Sequence, residues 1–155
     1  MAQVVTARLI TDGMKKIMYV LNLTWGIPMN IIGSLVALGL YIGGKRPTRH
    51  GLCWCYIVGR GWGGVSLGLV MIVDEESTEY DDTKNHELGH AIQNAVFGVF
   101  MPFVVSIPSA VRYWYRLYME KRGKADSLPP YDSIWFEAQA TEWGDKFMRE
   151  EESHG

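Results

Sequence analysis

The chain has 155 residues, 48% hydrophobic and 12% aromatic, with 17 Gly, 8 Met and 6 Trp; this length suits one domain with its own core and excludes intrinsic disorder. Lys and Arg number 15 against 17 Asp and Glu, a formal net charge of −2, and with no basic stripe the chain does not read as a nucleic-acid binder. Its two Cys lie in Cys53-Trp54-Cys55, too few to staple a scaffold and too close to pair with each other, so they read as buried thiols.

In chain order, residues 14–24 and 29–42 read as helices separated by Gly26-Ile27-Pro28, and Lys45 to Gly51 as a basic loop. The period then changes. Leu52 to Val58 and Gly64 to Val73 are β-branched and aromatic runs flanking Gly59-Arg60-Gly61-Trp62-Gly63, a composition that predicts one antiparallel hairpin. Asp74 to Asn85 is a polar connection. Asp81, Asp82 and Thr83 offer caps for a helix from about 83 to 97, with Gly98 as its stop. Pro108 suits the first turn of a helix ending at Gly123. After Pro129-Pro130, Asp132 and Ser133 are expected to cap a last helix running to about Met148. The expectation is an α+β fold, mostly helical, with one small antiparallel sheet. Within this single domain, 14–44 is the apolar segment, 52–148 the core and 149–155 a charged tail.

Ile17 to Gly44 carries no charge over 28 residues, and Ala91 to Val111 none over 21. Each is long enough to span a bilayer, but Gly26-Ile27-Pro28 splits the first, and Gln93, Asn94, Pro102 and Pro108 interrupt the second. A peripheral or soluble domain and a membrane-associated one both stay open, as does a cytoplasmic location. No secretory signal peptide is expected, because the apolar run begins too late. The sequence leaves the oligomeric state open.

One motif carries specific chemistry. His86-Glu87-Leu88-Gly89-His90 is H-E-x-x-H. On a helix, residues i and i+4 project from one face, so two imidazoles there can grip one ion at about 2.0–2.1 Å. The Glu beside the first His is then placed to act as general base toward a metal-activated water. The extended metzincin signature fails, since Gln93 and Val96 stand where Gly and His belong. The third ligand must come from elsewhere. Glu137 sits inside the apolar, aromatic stretch Trp135 to Gly144, where a carboxylate is costly unless a cation meets it. Thr141, one helical turn on, is placed to hydrogen-bond that carboxylate or to support a ligating His. Glu142, near Asp145, is the runner-up, with His50 and His154 behind it. Of possible oxyanion stabilisers, Tyr131 comes before Tyr113 and Arg112. Ser66, Leu67 and Gly68 belong to a strand whose free edge suits an extended peptide.

With its H-E-x-G-H-x-x-Q run ending at Gln93, Ile107-Pro108-Ser109 and the late Glu137-x-x-Ala140 helix, the chain resembles minimal gluzincin-type zinc metallopeptidases, among them small bacterial proteins. The likeness covers about 65–144. It implies a zincin-like fold, Zn²⁺ on His86, His90 and Glu137, a peptide or protein substrate and Glu87 as base. Thr141 departs from the Asp usual in that pattern, and the downstream Asp-Gly motif of intramembrane site-2-type proteases is missing. The competing class is a non-catalytic membrane or assembly protein using the metal as a structural clip.

Overall fold

The computed structural model describes residues 2–76 and 81–153, with side chains described from Asp12 onward except those of Asp81, Ala125 and Asp132. The fold is α+β. Helices α1 (Ala2–Thr24) and α2 (Ile27–Ile42) lead into strands β1 (Thr48–His50), β2 (Cys53–Ile57), β3 (Gly64–Leu67) and β4 (Val70–Val73). Helices α3 (Asp81–Phe97), α4 (Ile107–Lys121) and α5 (Trp135–Glu152) follow. A 3₁₀ turn (Gly98–Phe100) and a π-helical turn (Pro102–Ser106) join α3 to α4.

The sheet corrects the expected hairpin. Its order is β1-β2-β4-β3, and β2 pairs with β4 in parallel. The run from Gly64 to Val73 is not one strand: Gly68, at φ +71°, folds it into the antiparallel pair β3–β4. Gly59 to Gly63 is thus a crossover loop, closed by Asp74, whose carboxylate accepts from the Trp62 and Gly63 backbone N–H groups at 2.6 and 2.8 Å. Apolar content decides the order. Val70-Met71-Ile72-Val73 has no polar side for solvent and takes an inner position, whereas Gly64-Val65-Ser66-Leu67 lies at an edge. Thr48 to His50, expected as loop, forms the opposite edge.

Helix α3 packs between the sheet and α5. A Cβ on Gly89 would lie 1.8 Å from the carbonyl oxygen of Ala140, and one on Gly144 1.7 Å from that of Asn85. These two glycines let the α3 and α5 backbones touch, which brings α5's first turns against the H-E-x-x-H face. Cys53, Cys55, Met71, Val73, Leu88 and Phe147 fill the core beside them, and both cysteines are free and buried, as expected. The last helix runs to Glu152, and its N-cap position is Ile134 rather than Asp132 or Ser133. Ser133 lies in a 3₁₀ turn, where its hydroxyl accepts from Arg112 instead.

Three buried asparagines hold the bend between α1 and α2. Asn30 donates to the carbonyls of Asn22 and Gly26, at 2.8 and 3.0 Å, and accepts from the Leu69 N–H. Asn94 of α3 donates to the Asn22 side chain at 2.7 Å and to the Gly26 carbonyl. Among the described residues no single helix is long and apolar enough to cross a membrane. Two pairs reach that length only together, bent by 86° (Asp12–Thr24 with Ile27–Ile42) and 115° (Asp82–Phe100 with Pro102–Lys121).

Candidate metal centre

His86 and His90 project from one face of α3, and Glu137, in the first turn of α5, meets them. Its Oε2 lies 3.0 Å from His86 Nε2 and 3.3 Å from His90 Nε2. One ligand atom from each of the three residues lies within 4.8 Å of the others, and among the described residues this is the one group able to hold a metal ion. Glu137 is 0% exposed.

The partners of the imidazoles fix their tautomers. Thr141 donates its hydroxyl proton to the Glu137 carbonyl oxygen at 3.3 Å, so toward His86 it is an acceptor, and His86 Nδ1–H donates to it at 2.9 Å. Gln93 donates its amide to the Phe136 carbonyl at 2.7 Å and to Gln139 at 3.1 Å. Its own carbonyl is thereby turned to His90, whose Nδ1–H donates to it at 2.8 Å. Both Nε2 lone pairs then converge on a carboxylate oxygen. Three electron-rich atoms at this separation repel unless positive charge lies among them. Among the described residues no hydrogen bond of ordinary length reaches the other carboxylate oxygen, Oε1, which is buried, although the Ser109 hydroxyl acts on this carboxyl and helps to hold it low. Two imidazoles and a carboxylate, each imidazole braced behind by a hydrogen bond, are a donor set able to hold a metal ion.

The positive charge among these atoms is supplied equally by a metal ion or by protons on the imidazoles, and the pKa shifts describe the protonated pair. Burial pushes the Glu137 carboxyl up, but the two imidazoles outweigh it and hold the group well below the usual carboxylate range. For His90, burial works against the charged form, and the carboxylates of Glu137 and Glu87 overcome it, raising the imidazole above its ordinary value. Glu87 differs: burial dominates and raises its carboxyl, with the neighbouring histidines only partly offsetting this. The two neighbouring carboxyls are thus shifted in opposite directions, Glu137 down and Glu87 up.

The group opens on a cleft of about 780 Å³. Glu87 lines it with its carboxylate against β3; a Cβ on Gly64 would lie 2.7 Å from Glu87 Oε1. Ser66 and Leu67 of β3 also line the cleft, and one edge of β3 pairs with β4 while, among the described residues, the other carries no strand. Gly68 does not line it. Its place is the β3–β4 turn, where it packs against the Asn30 side chain. Tyr131 reaches the cleft with its ring edge-on to His86, centroids 6.3 Å apart, and its hydroxyl 3.3 Å from that of Ser109. Tyr113 lines the wall. Arg112 is engaged elsewhere, on the carbonyls of Pro130 and Tyr131 and the Ser133 hydroxyl, so it anchors the loop before α5.

The other ligand candidates lie apart from the group. Glu142 is exposed, Asp145 accepts from Asn85 at 3.0 Å, and His50 bonds to the other end of that amide at 2.9 Å. His154 lies outside the described residues. The sequence reading missed the bracing role of Gln93, although a polar side chain one helical turn beyond a ligating His is its signal. The chain matches no protein-family model, no curated protein and no solved structure, so the likeness to gluzincins rests on the residues themselves.

Proposed function

We propose that the chain is a zinc-dependent hydrolase of peptide bonds, with His86, His90 and Glu137 as the metal ligands and Glu87 as general base. The observation that carries the reading is the convergence of two Nε2 atoms and a buried carboxylate beside a second carboxylate, its pKa raised by burial, at the wall of an open cleft. A zinc ion there would polarise a carbonyl and lower the pKa of water toward about 7. The chain's own groups supply the rest. Glu87, raised by burial, accepts the proton of the attacking water and delivers it to the leaving amine nitrogen as the C–N bond breaks. The unpaired edge of β3, with Ser66 and Leu67, offers backbone hydrogen bonds to an extended peptide beside that carboxylate. The hydroxyl of Tyr131, at the wall of the cleft beside His86, is the candidate donor for the developing oxyanion. Three protein ligands beside an open cleft favour this reading over a structural clip, which closes with a fourth.

The test compares metal content and peptide hydrolysis for wild type, Glu87→Gln, Glu137→Ala and Glu142→Ala. Glu87→Gln is expected to keep the metal and lose at least a hundredfold in rate, Glu137→Ala to lose the metal, and Glu142→Ala to change neither. Hydrolysis that survives Glu87→Gln with zinc still bound overturns the general-base role. Purified chain that neither contains nor takes up a transition metal overturns the reading as a whole.

A further inference from the structure

The second half of α2 is apolar and uncovered. From Ser34 to Ile42 no residue is buried; Leu35 is 66% and Ile42 76% exposed, and Val36, Ala37 and Leu40 are only half-covered. At 100° per residue the exposed positions span about half the circumference, and the rest is partly open. A soluble helix keeps a polar face for water, whereas this one has none. The surface continues at the base of the helix, where the bends of the two broken helix pairs meet. Trp25 and Phe100, both exposed, touch edge to face at 5.9 Å, and Ile27 and Phe103 stand exposed beside them.

Charge is distributed to match. Between Gly13 and Val73 there is no Asp or Glu, although the chain has 17, and six Lys or Arg fall in that stretch. Three of them, Lys45, Arg46 and Arg49, follow directly on α2. The Arg46 guanidinium lies over the Tyr41 ring at 4.0 Å and that of Arg49 over Trp54 at 4.6 Å. Aromatic rings paired with cations at the end of an apolar helix are what a headgroup layer selects. The helix itself, 16 residues or about 24 Å at 1.5 Å per residue, falls short of the roughly 30 Å hydrocarbon core.

We infer that α2 and the Trp25–Phe100 bend seat this protein in one leaflet of an anionic phospholipid bilayer, with Lys45, Arg46 and Arg49 at the headgroups. A fluid apolar phase solvates a convex helix on every open side, whereas a second copy of the chain would cover one flank and leave the rest in water. A leaflet that carries negative charge also answers the acid-free stretch.

The test is flotation of the full chain with vesicles of phosphatidylcholine alone or mixed with phosphatidylglycerol, read without reference to metal or hydrolysis. Wild type is expected to float with the mixed vesicles and at least tenfold less with the neutral ones. Leu35→Glu with Leu38→Glu should abolish flotation, and Lys45→Glu with Arg46→Glu should erase the preference for anionic lipid. Circular dichroism reads the folding of each variant. Brominated lipid in the mixed vesicles supplies a measurement on unaltered α2: it should quench wild-type tryptophan emission, and Trp25→Phe should remove that quenched fraction. Wild type that stays in the buffer with both vesicle types overturns the inference. So does a dimer in sedimentation that Leu35→Glu dissociates while flotation is unchanged, which would assign the face to a second copy.

Discussion

The α3–α5 pair and α2 are built on opposite principles. Between α3 and α5 the backbones touch at Gly89 and Gly144, and the side chains of the metal group are buried or half-buried, with both imidazoles hydrogen-bonded behind. Along α2 beyond Gly33, apolar side chains stand free. The first region spends its composition on fixing a few atoms within ångströms, and the second on presenting area. A substitution should therefore be costly in one and silent in the other.

The sharpest break of that contrast is Gly144→Ala. In an exposed helix interior the change stabilises by about 1 kcal/mol; here the new methyl meets the Asn85 carbonyl, and a loss of about 3 kcal/mol is expected, read as a lowered urea midpoint. Gln93→Leu should leave the fold standing but free the His90 ring, lowering metal affinity about 10- to 100-fold in a competition titration with a chelator. Cys53 tests the core under the sheet through pH. Burial holds its thiol far above the ordinary value of 9.0, so the unfolded chain ionises first. Stability is then whole below about pH 9 and falls as pH rises beyond it, by about 1.4 kcal/mol per unit. Denaturant midpoints at about pH 8 and pH 10 should separate less in Cys53→Ala than in wild type. The smallest effect belongs to α2: Leu35→Ser should move stability by no more than about 0.5 kcal/mol.

The helices were legible because their punctuation is local. Gly98 and Gly123 take the positive φ that their place after a helix asks for, and Pro108 lies in the first turn of α4. His86, Glu87 and His90 were legible for the same reason, since one helical turn sets their geometry. Glu137 was readable from cost: a carboxylate among Trp135, Phe136 and Trp143 has to be answered by something positive. Strand pairing was not legible. The glycines around Trp62 and the one at position 68 are equally good turn signals, and only the need to bury Val70 to Val73 on both faces chooses between them. The cap at Ser133 failed because Arg112, 21 residues before it, claims its hydroxyl. The place of Thr141 became readable only in three dimensions, where its hydroxyl lies 2.9 Å from His86 Nδ1.

The knot of Asn22, Asn30 and Asn94 reaches beyond the bend it ties. Its amides supply partners to the Leu69 N–H at the head of β4, to backbone carbonyls of α1 and to a side chain of α3. A fragment trimmed to begin at Gly43 would leave the Leu69 amide and the Asn94 side chain facing a hole in the interior. The leading helices are a keystone of the half that carries the metal group rather than a detachable piece, and a less apolar version of this protein has to be made by recolouring the outer face of α2 with polar residues, not by cutting it away.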